Sequence, residues 1–218
     1  MIKTTLLLAT LAVAPHAQAQ PTDNDRFKAY IATPAHRELV MRAIATIPPT
    51  ILPRCPTLDS PTSRVIPMRT LGFAPDGTPN AGAWKEEFPV SGCGPATTVN
   101  LFFTANIQGQ PEIRTGLLGT THADPTLQRD ALTFARIGAG RVATNCPALE
   151  VARADFEHAG RRDGTPPPDA PPNAPPGKQP WWETWTLTGC GLTVEVPMEF
   201  APDATGTQIT QSGGVRLR

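Results

Sequence analysis

Trp84-Lys85-Glu86-Glu87-Phe88-Pro89-Val90-Ser91-Gly92-Cys93-Gly94 returns later in the chain as Trp181-Trp182-Glu183-Thr184-Trp185-Thr186-Leu187-Thr188-Gly189-Cys190-Gly191. The shared pattern is W-x-E-x-[FW]-x-[VL]-[ST]-G-C-G. Every second residue in it is large and mostly apolar, which is the period of a strand with one buried face. The match continues in register without a gap, pairing Val99 with Val196, Phe103 with Phe200 and Gly109 with Gly206. Upstream, Cys55-Pro56-Thr57-Leu58-Asp59 is echoed by Cys146-Pro147-Ala148-Leu149-Glu150. Two anchors in the same order, each with a cysteine, predict a tandem pair of related antiparallel β units.

The four cysteines, Cys55, Cys93, Cys146 and Cys190, extend that expectation. Four cysteines allow three pairings, and equivalence of the units favours Cys55–Cys93 with Cys146–Cys190 over a pairing crossed between units. Each bridge would close a loop of some 40 residues, worth about 4 kcal/mol in the chain-entropy model. Neither motif resembles C-x-x-C, so redox catalysis and a zinc knuckle are disfavoured.

Outward from the repeat, Thr33-Pro34 reads as an N-cap followed by proline in the first helical turn. Leu39, Val40, Ala43 and Ile44 give a helical face, and Pro48-Pro49 ends it, predicting a helix over 34–46. Strands are predicted at 65–71 and along the face of Trp84, Glu86, Phe88 and Val90. A hairpin joins 97–105 to 112–118 across Gln108-Gly109-Gln110. Asp124-Pro125 opens a second helix over 125–138, with Leu127, Ala131, Phe134 and Ala135 as its apolar face. Gly138 and Gly140 are expected to stop it, and it is expected to dock between the units. Unit two repeats the strands at 150–157, 181–188 and 192–200. The fold class is therefore mainly β with two or three helices (α+β), built as a tandem repeat of two disulfide-stapled units. Its divisions are a signal peptide at 1–19, a helical lead-in at 20–50, β unit one at 51–120, a connecting helix at 121–141 and β unit two at 142–218. Unit two carries a proline-rich loop at 164–180, which cannot donate enough hydrogen bonds to join a sheet.

Lys3, the apolar run from Leu6 to Ala14 and the small-x-small Ala17-Gln18-Ala19 read as a secretory signal cleaved after Ala19. The run is too short to span a bilayer, and no later stretch is long enough, so no transmembrane segment is expected. Removing Lys3 from 19 basic residues leaves 18 against 19 acidic ones, a net charge of −1. Nothing in that balance attracts nucleic acid or an anionic membrane surface.

The candidate sites are few. Glu86 and Glu183 stand in the middle of an otherwise apolar strand face, where a carboxylate must be paired, solvated or held neutral. One reading makes them functional carboxylates; the other makes them buried ion pairs with an arginine such as Arg69 or Arg153, and the second is favoured. Trp182 takes the place of Lys85, on the strand face opposite Trp181, Trp185 and Leu187, so the common fold does not require it. Beside Pro176 and Pro180 it is a candidate contact residue, or it packs on the prolines of its own loop. Of His36, His122 and His158, the last two, beside Asp124 and Glu157, lack metal-ligand spacing to a third group and read as incidental surface residues. No metal, cofactor or catalytic set is predicted.

The segment Trp182-Glu183-Thr184-Trp185-Thr186-Leu187-Thr188-Gly189-Cys190-Gly191 resembles a tail motif of exported bacterial proteins without assigned activity, a W-x-x-W strand running into Cys-Gly. Unit one departs from it with Phe88 for the second Trp. The resemblance implies an exported β-rich unit and transfers no functional residue. The expected function is a non-enzymatic scaffold in the periplasm or outside the cell, binding an envelope protein or a glycan. The alternatives are a hydrolase using Glu86 or Glu183 with a histidine, and a purely structural envelope component.

Overall fold

The computed structural model describes residues 22–53, 63–91, 96–161 and 178–218. The expected signal peptide, Cys55, Cys93 and their bridge, and Pro176 lie outside them. The described chain is mainly β, with two antiparallel sheets and three helices. None of these helices is long and apolar enough to cross a membrane.

Helix α1 (Asp23–Ile31) falls within the expected helical lead-in at 20–50 but was not placed there as a helix of its own. It is two turns long and buries only Phe27, so its periodicity is weak. A capping box starts it: the Thr22 hydroxyl accepts from the Asp25 amide, and the Asp25 carboxylate accepts from the Thr22 amide. Helix α2 (Pro34–Ala45) follows after the Thr33 N-cap, close to the predicted 34–46. Both helices cover a four-stranded sheet of β1 (Arg64–Phe73), β2 (Pro79–Val90), β3 (Thr97–Thr104) and β4 (Glu112–Thr115), in sequential order. Strand β2 carries the face expected of it, with Trp84, Glu86, Phe88 and Val90 all buried. Trp84 stacks flat on its register partner Phe103, ring centroids 4.9 Å apart. Phe27, Val40, Ile44, Val99 and Leu101 complete that core.

Helix α3 runs Pro125–Gly140, straight through the glycine expected to stop it. The reason is packing rather than termination. A Cβ on Gly138 would lie 2.9 Å from Val196 Cγ1 and 3.2 Å from the Gln211 side chain, so the missing side chain lets the helix settle on its sheet. Ala131 and Ala135 are buried as expected, whereas Phe134 turns outward and is 41% exposed. The helix covers β6, β7 and β8 of the second sheet rather than docking between the two sheets.

That second sheet orders β5 (Glu150–Ala159), β6 (Trp181–Gly189), β7 (Leu192–Pro202) and β8 (Thr207–Gln211), with β9 (Arg216–Leu217) returning to pair with β7. Strands β8 and β9 lie beyond the last one read from sequence. Trp181 stacks on its register partner Phe200, centroids again 4.9 Å apart. Trp185, Leu187, Val194, Val196 and Met198 fill the core below. The Cys146–Cys190 disulfide closes a span of 44 residues and ties the chain after α3 to the β6–β7 turn.

The stretch 116–123 joins the sheets. Its Gly116 and Gly119 amides donate to the carbonyls of Asn100 and Thr98 on β3, and the Leu118 carbonyl accepts from Ala154 on β5. Asn100 Nδ2 donates to the Leu117 and Gly119 carbonyls at 2.7 and 2.8 Å. Beneath it, Lys85 on the second face of β2 is buried, with Nζ 2.8 Å from Glu87 Oε1 and 2.6 Å from the Thr121 carbonyl. The desolvation of the Lys85 ammonium lowers its pKa, partly offset by Glu87.

Candidate functional site

Two places follow from the sequence: the strand carboxylates Glu86 and Glu183, and the outer face around Trp182. Strand alternation puts Glu86 two residues beyond Trp84, so the indole Nε1 reaches it at 2.8 Å on the same face. Ser63 Oγ donates to Glu86 at 2.8 Å, and His36 Nε2 approaches from α2 at 2.9 Å. Burial pushes the Glu86 carboxyl up, but the bonds from His36, Trp84 and Ser63 and the His36 charge together hold it below its ordinary value. Tyr30 packs on both His36 and Trp84, and burial with the neighbouring Glu86 charge pushes its phenol up to about 12.

Glu183 occupies the matching position on β6 with another set of partners. Trp181 and Trp185 donate from Nε1 at 3.0 and 2.9 Å, and Thr121 Oγ1 donates at 2.8 Å. The amides of His122 and Ala123, just before α3, complete the shell at 2.7 and 3.2 Å. Neither carboxylate pairs with an arginine among the described residues, where the expected Arg153 binds Asp155 on its own strand instead. Glu86 has the His36 imidazole beside it, and Glu183 is fed by indole, hydroxyl and amide donors that replace its water.

His36 is 3% exposed, and His122 and His158, expected on the surface, are half-buried against Phe156 and Trp182. The carboxylate–histidine pair that hydrolysis requires therefore exists at Glu86, but Glu86 is only 1% exposed and sealed beneath α1 and α2. At Glu183 the histidine supplies a backbone amide, while its ring packs edge-on against Phe156 at 4.2 Å. Both Glu residues pin the start of a helix to a sheet.

Trp182 faces away from the core as expected, yet it is 5% exposed instead of standing free. His158, its register partner on β5, stacks against it at 5.9 Å. Pro180 leads into β6, its carbonyl accepting from Gly160 at 2.7 Å. The indole forms one wall of a recess of about 210 Å³ with Glu157, His158, Thr184, Glu195, Pro197, Arg216 and the Ser212–Gly214 backbone turn. Strand pairing assembles these groups: Thr184 lies opposite Pro197, and Glu195 opposite Arg216. Thr184 Oγ1 donates to Glu157, and Arg218 holds Glu195 at 2.9 Å. The part played by β9 was invisible to sequence reasoning, because two residues carry no periodicity.

Among the described residues no three His, Cys, Asp or Glu side chains are grouped to hold a metal ion. Comparison with protein-family models, with curated proteins and with solved structures finds no match.

Proposed function

We propose that this chain is an exported bacterial envelope protein that works by binding, with the recess beside Trp182 as its contact site. The observation that carries the reading is the recess itself, where an indole, two carboxylates, a guanidinium and hydroxyls meet on one face of a rigid sheet. Convergence of a few polar groups around an apolar wall is what ligand sites have in common. Export follows from the signal-like N-terminus, and the Cys146–Cys190 bridge suits an oxidising compartment. The motif shared with exported W-x-x-W proteins points the same way.

We also read the two sheets as a duplicated unit. In support, each has a W-x-E strand second in order, an aromatic stack at the same register position, and a helix start fastened to the glutamate. Both glutamates are spent on that fastening, which favours binding over the hydrolase alternative.

Gly214 offers the test. A Cβ there meets nothing within 4 Å and its φ is not positive, so a large side chain can be added without backbone strain. Mature oxidised protein is used to capture envelope material beside a Gly214→Trp control. Material held by the first and lost by the second, at equal thermal stability, is the expected result. Equal capture by both, or none, sinks the contact site and leaves a structural envelope role.

A further inference from the structure

We infer that the recess beside Trp182 takes a neutral, hydroxyl-rich saccharide unit, an inference that rests on the binding reading above and names its ligand class. Size sets the first limit. About 210 Å³ is below the roughly 300–1,000 Å³ of sites for drug-sized ligands, leaving room for about one sugar ring.

Charge sets the second. The carboxylates of Glu157 and Glu195 are opposed by the guanidiniums of Arg216 and of Arg218, which bonds Glu195. Glu199, the register partner of Trp182, accepts from Ser212 Oγ at 3.0 Å and leaves one carboxylate in excess, so the field disfavours an anion, while Arg216 stands against a cation.

Hydrogen bonding sets the third. A carboxylate has about four lone-pair sites, so Glu157, with one bond from Thr184, keeps acceptor capacity for hydroxyl donors. Arg216 is exposed and has no ion-pair partner among the described residues, so its fork is available to hydroxyl acceptors. Pro197 and the small exposed edge of Trp182 add apolar surface between these polar groups. A pyranose carries the complementary alternation, hydroxyl groups around its rim and C–H bonds on its faces. An acidic sugar would meet Glu157 and Glu195 directly, and an ammonium would meet Arg216.

The test titrates oxidised protein with neutral trisaccharides (maltotriose, cellotriose and N-acetylchitotriose), with cationic chitosan trimer and with trigalacturonate. Tryptophan fluorescence and backbone amide NMR shifts are read. Saturable binding of a neutral trimer is expected, with shifts at Glu157, Thr184, Gly213 and Arg216. Glu157→Gln and Arg216→Ala should each weaken it about fivefold to tenfold, and Gly214→Trp should abolish it. All three positions are exposed, and unchanged melting curves confirm folding. The inference is overturned if no neutral trimer binds, if a charged trimer binds more tightly, or if binding survives Gly214→Trp. Should the envelope capture succeed and depend on Gly214 while every trimer fails, the contact site stands and only the saccharide class falls.

Discussion

Glu86 and Glu183 hold equivalent places on their strands, and their partners make them unequal in cost to replace. Five donors converge on Glu183, from Trp181, Trp185, Thr121 and the amides of His122 and Ala123. A glutamine there presents one oxygen, and its own NH₂ group would face donors. Glu183→Gln should therefore cost about 3 kcal/mol or more in denaturant unfolding. Glu86→Gln can keep Trp84 and His36 on its oxygen and turn its NH₂ toward the Ser63 hydroxyl, so a loss of about 1 kcal/mol is expected. Equal losses would refute this account of the two shells. His122 adds a pH dependence. Desolvation, then the nearby Lys85 charge, lower its pKa below the ordinary 6.5, with Glu183 partly opposing. The unfolded chain then binds the proton first, so stability falls as pH drops below about 6.5, until folded His122 protonates as well. Chemical-denaturation midpoints between about pH 7 and 5 should decline in the native chain and flatten in His122→Gln. Glu86, also lowered, adds its loss further down, below the ordinary carboxylate value of 4.5.

Helix α3 carries two glycines close together whose replacement should act with opposite sign. At Gly138 a methyl group would press on Val196, which is fully buried under the helix. Overpacking of this kind costs about 1–3 kcal/mol, more than the roughly 1 kcal/mol that alanine gains over glycine in a helix. Gly138→Ala should therefore destabilise the protein. At Gly140, on the last turn, the added Cβ meets nothing within 4 Å. Gly140→Ala should stabilise by up to about 1 kcal/mol, the gain shrinking toward the frayed end. Calorimetric melting of both variants decides it: two shifts of the same sign would mean that α3 does not approach β7 as closely as described.

Across the whole molecule, the sheets are connected by a buried polar chain. Lys85 on β2 holds Glu87 and the Thr121 carbonyl, and the Thr121 hydroxyl holds Glu183 on β6. Lys85→Met keeps the length of the side chain but leaves the Thr121 carbonyl without its donor and Glu87 with Arg64 alone, at 3.5 Å. A loss of about 2–3 kcal/mol is expected, with faster amide exchange across 116–123 than within either sheet. Exchange that rises evenly over the molecule would argue that Lys85 supports β2 alone. The disulfide acts on another part of the chain, tying the segment after α3 to the β6–β7 turn.

Alternation in W-x-E-x-[FW] was enough to place β2 and β6, their buried faces and the outward direction of Trp182, because a strand's side-chain period is local. The caps Thr33-Pro34 and Asp124-Pro125 likewise marked two helix starts to the residue, since capping involves only neighbours in sequence. The indole–glutamate bonds were not read from that alternation, an arginine partner being expected for both carboxylates. What the local pattern did not contain was anything brought from far along the chain. His36 reaches Glu86 from a helix, Thr121 reaches Glu183 from the junction, and β9 returns Arg216 to face Glu195. The outward turn of Phe134, the passage of α3 through Gly138 and the burial of Trp182 against His158 were settled in the same way. Those outcomes depend on which surfaces meet after the sheets form, and a nearest-neighbour pattern carries no record of that.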